Sequence, residues 1–262
     1  MFTDYFQMTD QPFCERIKIE HILTDERMSQ CLARLSFLIR QGTIGLVTGQ
    51  TGVGKSTLIK LLLSTISPSN YHPVYLHFTH LKASSLLNLI ASEFGESSTN
   101  TKDRRFMRIM NAVKKLQCTP ILIIDEAHLL TSESITDLRL LVSSATDDVS
   151  PMKIILCGQD DLKHTISRSD CTDFAQRVCV ACKLKPLSRE QTAVYISSQI
   201  KQAGCSDVFD SEVMSMIHDY TNGIPRQINN IATACLIHAA SVNSRKITVE
   251  VLTQAMAEIN LF

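Results

Sequence analysis

"GQTGVGKS", residues 49–56, lies between an apolar run, "TIGLVTG" (43–49), and an amphipathic stretch over 56–66. A strand, a glycine-spaced turn and a helix form the context in which the spacing G-x-x-x-x-G-K-[ST] carries meaning. Glycines at that spacing let successive backbone N–H groups wrap an anion at a helix N-terminus, where the macrodipole favours negative charge. Gly49, Gln50, Thr51, Gly52, Val53, Gly54, Lys55, Ser56 and Thr57 are therefore expected to cradle a phosphate chain. Lys55 would reach the terminal phosphates and Ser56 would ligate Mg²⁺. The bland alternative is a glycine turn with an incidental lysine.

The pattern continues outward. Further strand-like runs are "PVYLHFT" (73–79), "PILIID" (120–125), "MKIILCG" (152–158) and "RVCVACKL" (177–184), with amphipathic segments at 84–94, 103–116 and 133–146 between them. Apolar strands alternating with helices predict a parallel sheet covered on both faces. After "KPLS" (185–188) only helical periods remain, at 189–203, 211–221, 225–241 and 248–259. Ser188 with Gln191 fits a capping box, and Thr248 is placed to cap the last helix. The expected fold class is α/β: a three-layer domain with a five-stranded parallel sheet, then a small all-helical domain. The expected boundaries are 1–42 for an N-terminal linker and a helix packing on the core, 43–186 for the α/β domain and 187–262 for the helices.

Composition narrows the class without naming a partner. The chain has 262 residues, with 26 Lys+Arg against 26 Asp+Glu, so net charge is +0 and any polyanion contact must be local. The N-terminus "MFTDYFQMTDQPF" has no basic n-region and no long apolar run, and no segment nears the ~20 apolar residues of a membrane span. With 9 scattered cysteines, a reduced, cytoplasmic protein without a membrane segment is expected. Cys179 and Cys182 lie in a strand-like stretch, where residues three apart face opposite sides and chelate poorly. His77 and His80 share that spacing.

"ILIIDEAH" (121–128) puts Asp125 at the carboxyl end of a buried strand, where ligands bind in open α/β sheets. Asp125 would hold Mg²⁺ directly or through water, and Glu126 would orient or deprotonate an attacking water. A pair of solvated acids is the alternative. Gln159 in "IILCGQDDL" follows the next strand and would touch the terminal phosphate or the water; otherwise it is a turn glutamine. Arg177 precedes the fifth strand, away from those carboxyl ends, and suits a neighbouring subunit's site. Arg139 and Arg168 are rivals for that role, and a plain surface arginine is the alternative. Arg226 follows "GIP" in the first turn of a helix, where the macrodipole disfavours a cation. A bound phosphate between the domains would offset that.

Together these features resemble the AAA+ ATPases: a phosphate loop, "IIDEAH", a sensor after the fourth strand, a trans arginine and "GIPR" in a helical lid. Within that superfamily "YFQMTDQPF", "LVTGQTGVGKST", "LIIDEAHLL", "LCGQDDL", "QRV…LKPLS" and "GIPRQINNIATACLIHA" are similar to the ExeA/TnsC group. In AAA+ proteins generally a sensor Asn, Ser or Thr is more usual than Gln159, whereas the "GQ" after the fourth strand is part of the resemblance to the ExeA/TnsC group. The resemblance implies ATP and Mg²⁺ as cofactors, ATP hydrolysis, and Glu126, Gln159, Arg177 and Arg226 as catalytic residues. Secretion ATPases of the ExeA type carry a membrane segment and a cell-wall-binding part. Because "AEINLF" directly follows the lid pattern, the short cytosolic form is expected, like the TnsC and IstB helper ATPases of DNA transposition. That implies ATP-dependent assembly, as a ring or helical filament, on duplex DNA, with a transposase and a target-selection protein as partners. By analogy the DNA contacts would be Lys82 and Ser84 in "THLKASS", and Thr101, Lys102, Arg104 and Arg105 in "NTKDRR", though a solvated charge run reads the same. A secretion-type assembly ATPase and a replication initiator or helicase loader remain as alternatives.

Overall fold

The computed structural model describes residues 1–14, 18–77, 83–97, 101–143 and 152–259. In chain order the elements are α1 (Phe2–Phe6), α2 (Glu26–Gln41), β1 (Ile44–Thr48), α3 (Lys55–Thr65), β2 (Tyr71–His77), α4 (Ala83–Glu93), α5 (Lys102–Lys115), β3 (Thr119–Asp125), α6 (Ser132–Ser143), β4 (Lys153–Gly158), α7 (Asp161–Ile166), α8 (Thr172–Ala175), β5 (Val178–Lys183), α9 (Arg189–Gln202), α10 (Ser211–Thr221), α11 (Pro225–Ser241) and α12 (Val249–Ile259). The chain forms two compact units. One comprises Arg27–Gln50 and Lys55–Leu184; the other comprises Met1–Glu26, Thr51–Gly54 and Lys185–Phe262.

In the first unit the five strands form a sheet in the order β2-β3-β4-β1-β5, and every pairing is parallel. The burial follows the sequence. β1 and β4 are buried along their whole length, and so is the "PILIID" part of β3, as strands covered on both faces require. The edge strands alternate instead: Val74, Leu76, Val180 and Cys182 face inward while Tyr75 and Cys179 are exposed. Cys179 and Cys182 thus point to opposite faces. β2 begins at Tyr71, two residues earlier than expected, and includes Pro73. An edge strand tolerates proline because it leaves one side of the backbone unpaired.

Helices cover the sheet with apolar stripes. Leu86 and Ile90 of α4, Ile109 and Val113 of α5, and Ile135 and Leu138 of α6 share one core with Leu122, Ile124, Ile154 and Leu156. Truncating one such leucine or isoleucine to alanine costs about 2–5 kcal/mol. The short helices α7 and α8 between β4 and β5 carried no readable period.

The second unit is helical. Phe6 and Phe13 are buried with Leu187, Ile196, Ile217, Ile228 and Leu252. This burial divides the segment 1–42 differently from the expectation: Met1–Glu26 belongs with the C-terminal helices, and α2 from Arg27 onward with the sheet. Ser188 and Gln191 form the capping box of α9, with N–H donors satisfied at 2.9 and 3.2 Å. Between α10 and α11, Asn222 and Gly223 both adopt left-handed backbone, φ 48° and 71°. At Gly223 an added Cβ would lie 2.0 Å from the Leu187 carbonyl oxygen, so only glycine fits.

The register brings the chemistry to one rim. Thr48 lies opposite Gly158, Ile124 opposite Leu156 and His77 opposite Asp125. The segment after β1, the end of β3 and the segment after β4 therefore emerge together at the carboxyl edge of the sheet.

Candidate active site

The phosphate loop leaves β1 after Thr48. Gly52 and Gly54 have φ 80° and 107°, which side chains with a Cβ rarely adopt. Lys55 opens α3 and is 6% exposed. Its Nζ donates to the carbonyls of Gly49 at 2.9 Å and Gln50 at 3.1 Å. The ammonium is thereby held inside the loop, on the strand side. These hydrogen bonds are ones a phosphate oxygen would replace.

Asp125 ends β3 and is 3% exposed. Ser56 Oγ donates to its Oδ2 at 3.0 Å, so the two hard-oxygen groups expected to share a cation already touch. Its Oδ1 accepts the Glu126 backbone N–H at 2.9 Å. Tyr75, on the neighbouring β2, also donates its phenol to Oδ2, at 2.5 Å. Burial, and then that carboxylate, push the Tyr75 phenol above its ordinary pKa, so it remains a protonated donor. The glycine cradle, the enclosed lysine and the Ser56–Asp125 pair fit a Mg²⁺–nucleotide.

Glu126 takes left-handed backbone, φ 55° and ψ 32°, a conformation disfavoured for a residue with a Cβ. The turn lifts its side chain from the strand. Its Oε2 lies 3.3 Å from His128 Nδ1. Gln159 is the first residue after β4, and its amide Nε2 lies 3.2 Å from His128 Nε2. Gln159 is thus beside the strand ends, where its spacing put it, and its side chain meets His128.

Arg177 sits in the turn before β5, at the opposite end of the strands from Asp125. Its side chain is exposed and has no hydrogen-bond or ion-pair partner among the described residues. Its rival Arg139 donates to Asp173 at 2.9 Å. Arg168 is exposed and lies beside Asp170, whose carboxyl is held below the usual range first by a hydrogen bond from Ser132 and, least, by the charge of Arg168. Arg226 is exposed and follows Pro225 in the first turn of α11, whose N-cap, Ile224, supplies no side-chain cap.

The expected DNA contacts fare unevenly. Lys82 lies outside the described residues, and Ser84 falls within α4. Thr101 is the exposed N-cap of α5, Arg104 is exposed and Arg105 half-buried. Lys102 is instead committed inside the chain. Its Nζ lies 2.7 Å from Asp137 Oδ1, on a side chain only 3% exposed, and 3.1 Å from Glu133. The hydrogen bond to Asp137 raises the Lys102 pKa. Lys102 stays partly in solvent, but its ammonium is paired with a buried carboxylate on α6.

Two residues that touch this constellation were not singled out in the sequence. Tyr75 gave no signal, because nothing links position 75 to Asp125 before the strands pair. His128 was visible as the fourth letter of "DEAH", three residues beyond Asp125.

Residues 39–166 match the family model described as AAA domain. General secretion pathway protein A of Aeromonas hydrophila is 27% identical over 99% of this chain, which spans about half, 49%, of that relative's length. Among solved structures, Cdc6p of Pyrobaculum aerophilum superposes with TM-score 0.73 at 15% identity, covering 98% of this chain and 70% of that one. The Aeropyrum pernix ORC1 protein, in a structure in complex with DNA, gives 0.69 at 15%, covering 92% and 67%. The RuvB Holliday junction branch migration motor of Thermotoga maritima gives 0.60 at 16%, covering 90% and 68%. At these identities the structures share the AAA+ fold. Among the described residues no helix is long and apolar enough to cross a membrane.

Proposed function

We propose that this chain is a Mg²⁺-dependent ATP hydrolase that assembles with ATP and completes its active site with an arginine from a second copy. The observation that carries this is the joined set at the sheet rim: Lys55 enclosed by its loop, Ser56 on Asp125 at 3.0 Å, and Glu126 turned out from the strand. Mg²⁺, when bound, would neutralise charge on the β- and γ-phosphates. Ser56 would hold it directly and Asp125 directly or through water, with Tyr75 fixing the carboxylate. Lys55 would exchange its carbonyl partners for phosphate oxygens. Glu126 would orient or deprotonate the water. Arg177, exposed at the far end of β5, would reach a neighbour's γ-phosphate. Arg226 would read the presence of a phosphate on the nucleotide of its own chain from the first turn of α11.

The cargo we propose is duplex DNA, with the assembly recruiting or activating a transposase at a target site. This rests on the motifs shared with the TnsC and IstB types and on exposed Arg104 beside Thr101 at the start of α5. A net charge of +0 is no obstacle, because one or two cationic contacts per copy add up along a filament. The second reading, a secretion-type assembly ATPase, is favoured by the match of 99% of the chain to General secretion pathway protein A. A salt titration of duplex binding with a non-hydrolysable ATP analogue separates them. The DNA reading expects nucleotide-dependent binding whose log affinity falls with log salt by about 0.9 per phosphate contact. No binding at low salt, with nucleotide bound, transfers the proposal to the secretion-type reading.

A further inference from the structure

We infer that His128 is a positioning residue that couples Gln159 to the carboxylate of Glu126. The inference rests on the assignment of Glu126 as the group that handles the water, and extends it.

The geometry is specific. His128 lies in the 3-10 turn Ala127–Leu129 that follows Glu126 directly, and it is 14% exposed. Its Nδ1 is 3.3 Å from Glu126 Oε2 and its Nε2 is 3.2 Å from the Gln159 amide nitrogen. A carboxylate at that distance favours a proton on Nδ1, which leaves Nε2 to accept from the Gln159 amide. The ring therefore bridges the Glu126 carboxylate and the Gln159 amide. The Gln159 backbone N–H also approaches Nδ1, at 3.5 Å, too long to compete strongly.

The backbone presses the two segments together. An added Cβ at Gly158 would lie 2.9 Å from the His128 backbone nitrogen, so a side chain there would push the turn off the end of β4. This also accounts for a glutamine at position 159. A shorter Asn, Ser or Thr would not span from β4 to the far nitrogen of the ring. Glu126 needs such a brace because its own backbone, at φ 55°, holds it in a conformation of low intrinsic stability. In this arrangement Gln159 acts on catalysis through His128 and does not have to touch the water itself.

The test is a set of full-length variants assayed for ATP hydrolysis and for binding of a fluorescent ATP analogue. His128→Ala is expected to lower kcat roughly 10–100-fold, the usual range for losing a residue that orients a reacting group's contact, with nucleotide affinity within about twofold. Gln159→Ala is expected to lower kcat as well. Their combination is expected to be no slower than His128→Ala alone, since both remove one linkage. His128→Asn keeps a donor near the Nδ1 position and is expected to recover much of the loss; it also guards against an alanine variant that fails to fold. Independent, multiplicative losses in the double variant overturn the coupling. So does a normal rate in His128→Ala when Glu126→Gln is inactive. If Glu126→Gln hydrolyses ATP like the unaltered chain, the assignment of the base fails first, and the coupling falls with it.

Discussion

Lys102→Met is expected to destabilise the protein rather than to weaken a surface contact. Lys102 Nζ is 2.7 Å from Asp137 Oδ1, and the Asp137 side chain is 3% exposed. Asp137 Oδ2 has no hydrogen-bond partner among the described residues, so Lys102 is the main compensation for a buried charge. Breaking a fully buried pair costs about 3–5 kcal/mol. Lys102 is itself 45% exposed, and solvent screens the pair, so a smaller figure applies. A single charge-assisted hydrogen bond, about 1.5–3 kcal/mol, is the appropriate scale. The contact to Glu133, 66% exposed, adds little. At about 2–4 °C per kcal/mol for a domain of this size, the melting temperature should fall by about 3–12 °C. Thermal unfolding followed by circular dichroism measures it. Adding Asp137→Leu should recover most of the loss, because no buried charge is left unpaired. A single variant melting with the unaltered chain, or a double variant no better than the single, refutes this reasoning. Weaker DNA binding at an unchanged melting temperature would return Lys102 to the DNA surface.

Lys55→Ala should abolish nucleotide binding, whereas Glu126→Gln should retain binding and lose roughly 10²–10⁴ in rate; equilibrium binding and single-turnover hydrolysis distinguish them. Tyr75→Phe should leave nucleotide binding without metal unchanged and raise the Mg²⁺ concentration needed for half-maximal hydrolysis by about 10-fold or more, since it removes a donor that orients Asp125. An unchanged Mg²⁺ titration, read also by nucleotide fluorescence, would make Tyr75 a bystander. Gly223→Ala should be destabilising by more than 1 kcal/mol, because φ 71° and the Leu187 carbonyl both exclude a Cβ; a melting curve reports it.

The fold was legible where local pattern and burial coincide. "TIGLVTG" and "ILIID" are apolar because both faces of those strands are covered, and the turn residues between them need only local chemistry. The C-terminal helices were legible for the same reason: the capping box at Ser188 and the Gly223–Pro225 break are short-range signals. What escaped depended on pairings distant in sequence. Phe6 and Phe13 look like any apolar residues in a linker, and only the packing shows that they belong with the C-terminal helices. Lys102 resembles a solvated charge until α5 and α6 bring Asp137 beneath it. In the site, Lys55, Ser56 and Asp125 could be named because phosphate and cation chemistry dictate their spacing. Tyr75 meets Asp125 only once β2 pairs with β3, and His128, though visible in "DEAH", meets Gln159 only once the turn after β3 packs beside the end of β4.

The central claim is that two copies build one active site. Arg177→Ala alone should bind ATP and hydrolyse it about 10³–10⁵ times more slowly, the range for a lost arginine finger. Lys55→Ala alone should be inactive for lack of nucleotide. In a head-to-tail assembly of the two variants at equal amounts, about one quarter of interfaces pair an intact loop with an intact arginine. The measurement is steady-state ATP hydrolysis across mixing ratios, with co-assembly verified by sedimentation. The account predicts activity that neither variant has alone, highest near equal proportions. Mixtures that co-assemble and stay inactive at every ratio would contradict it.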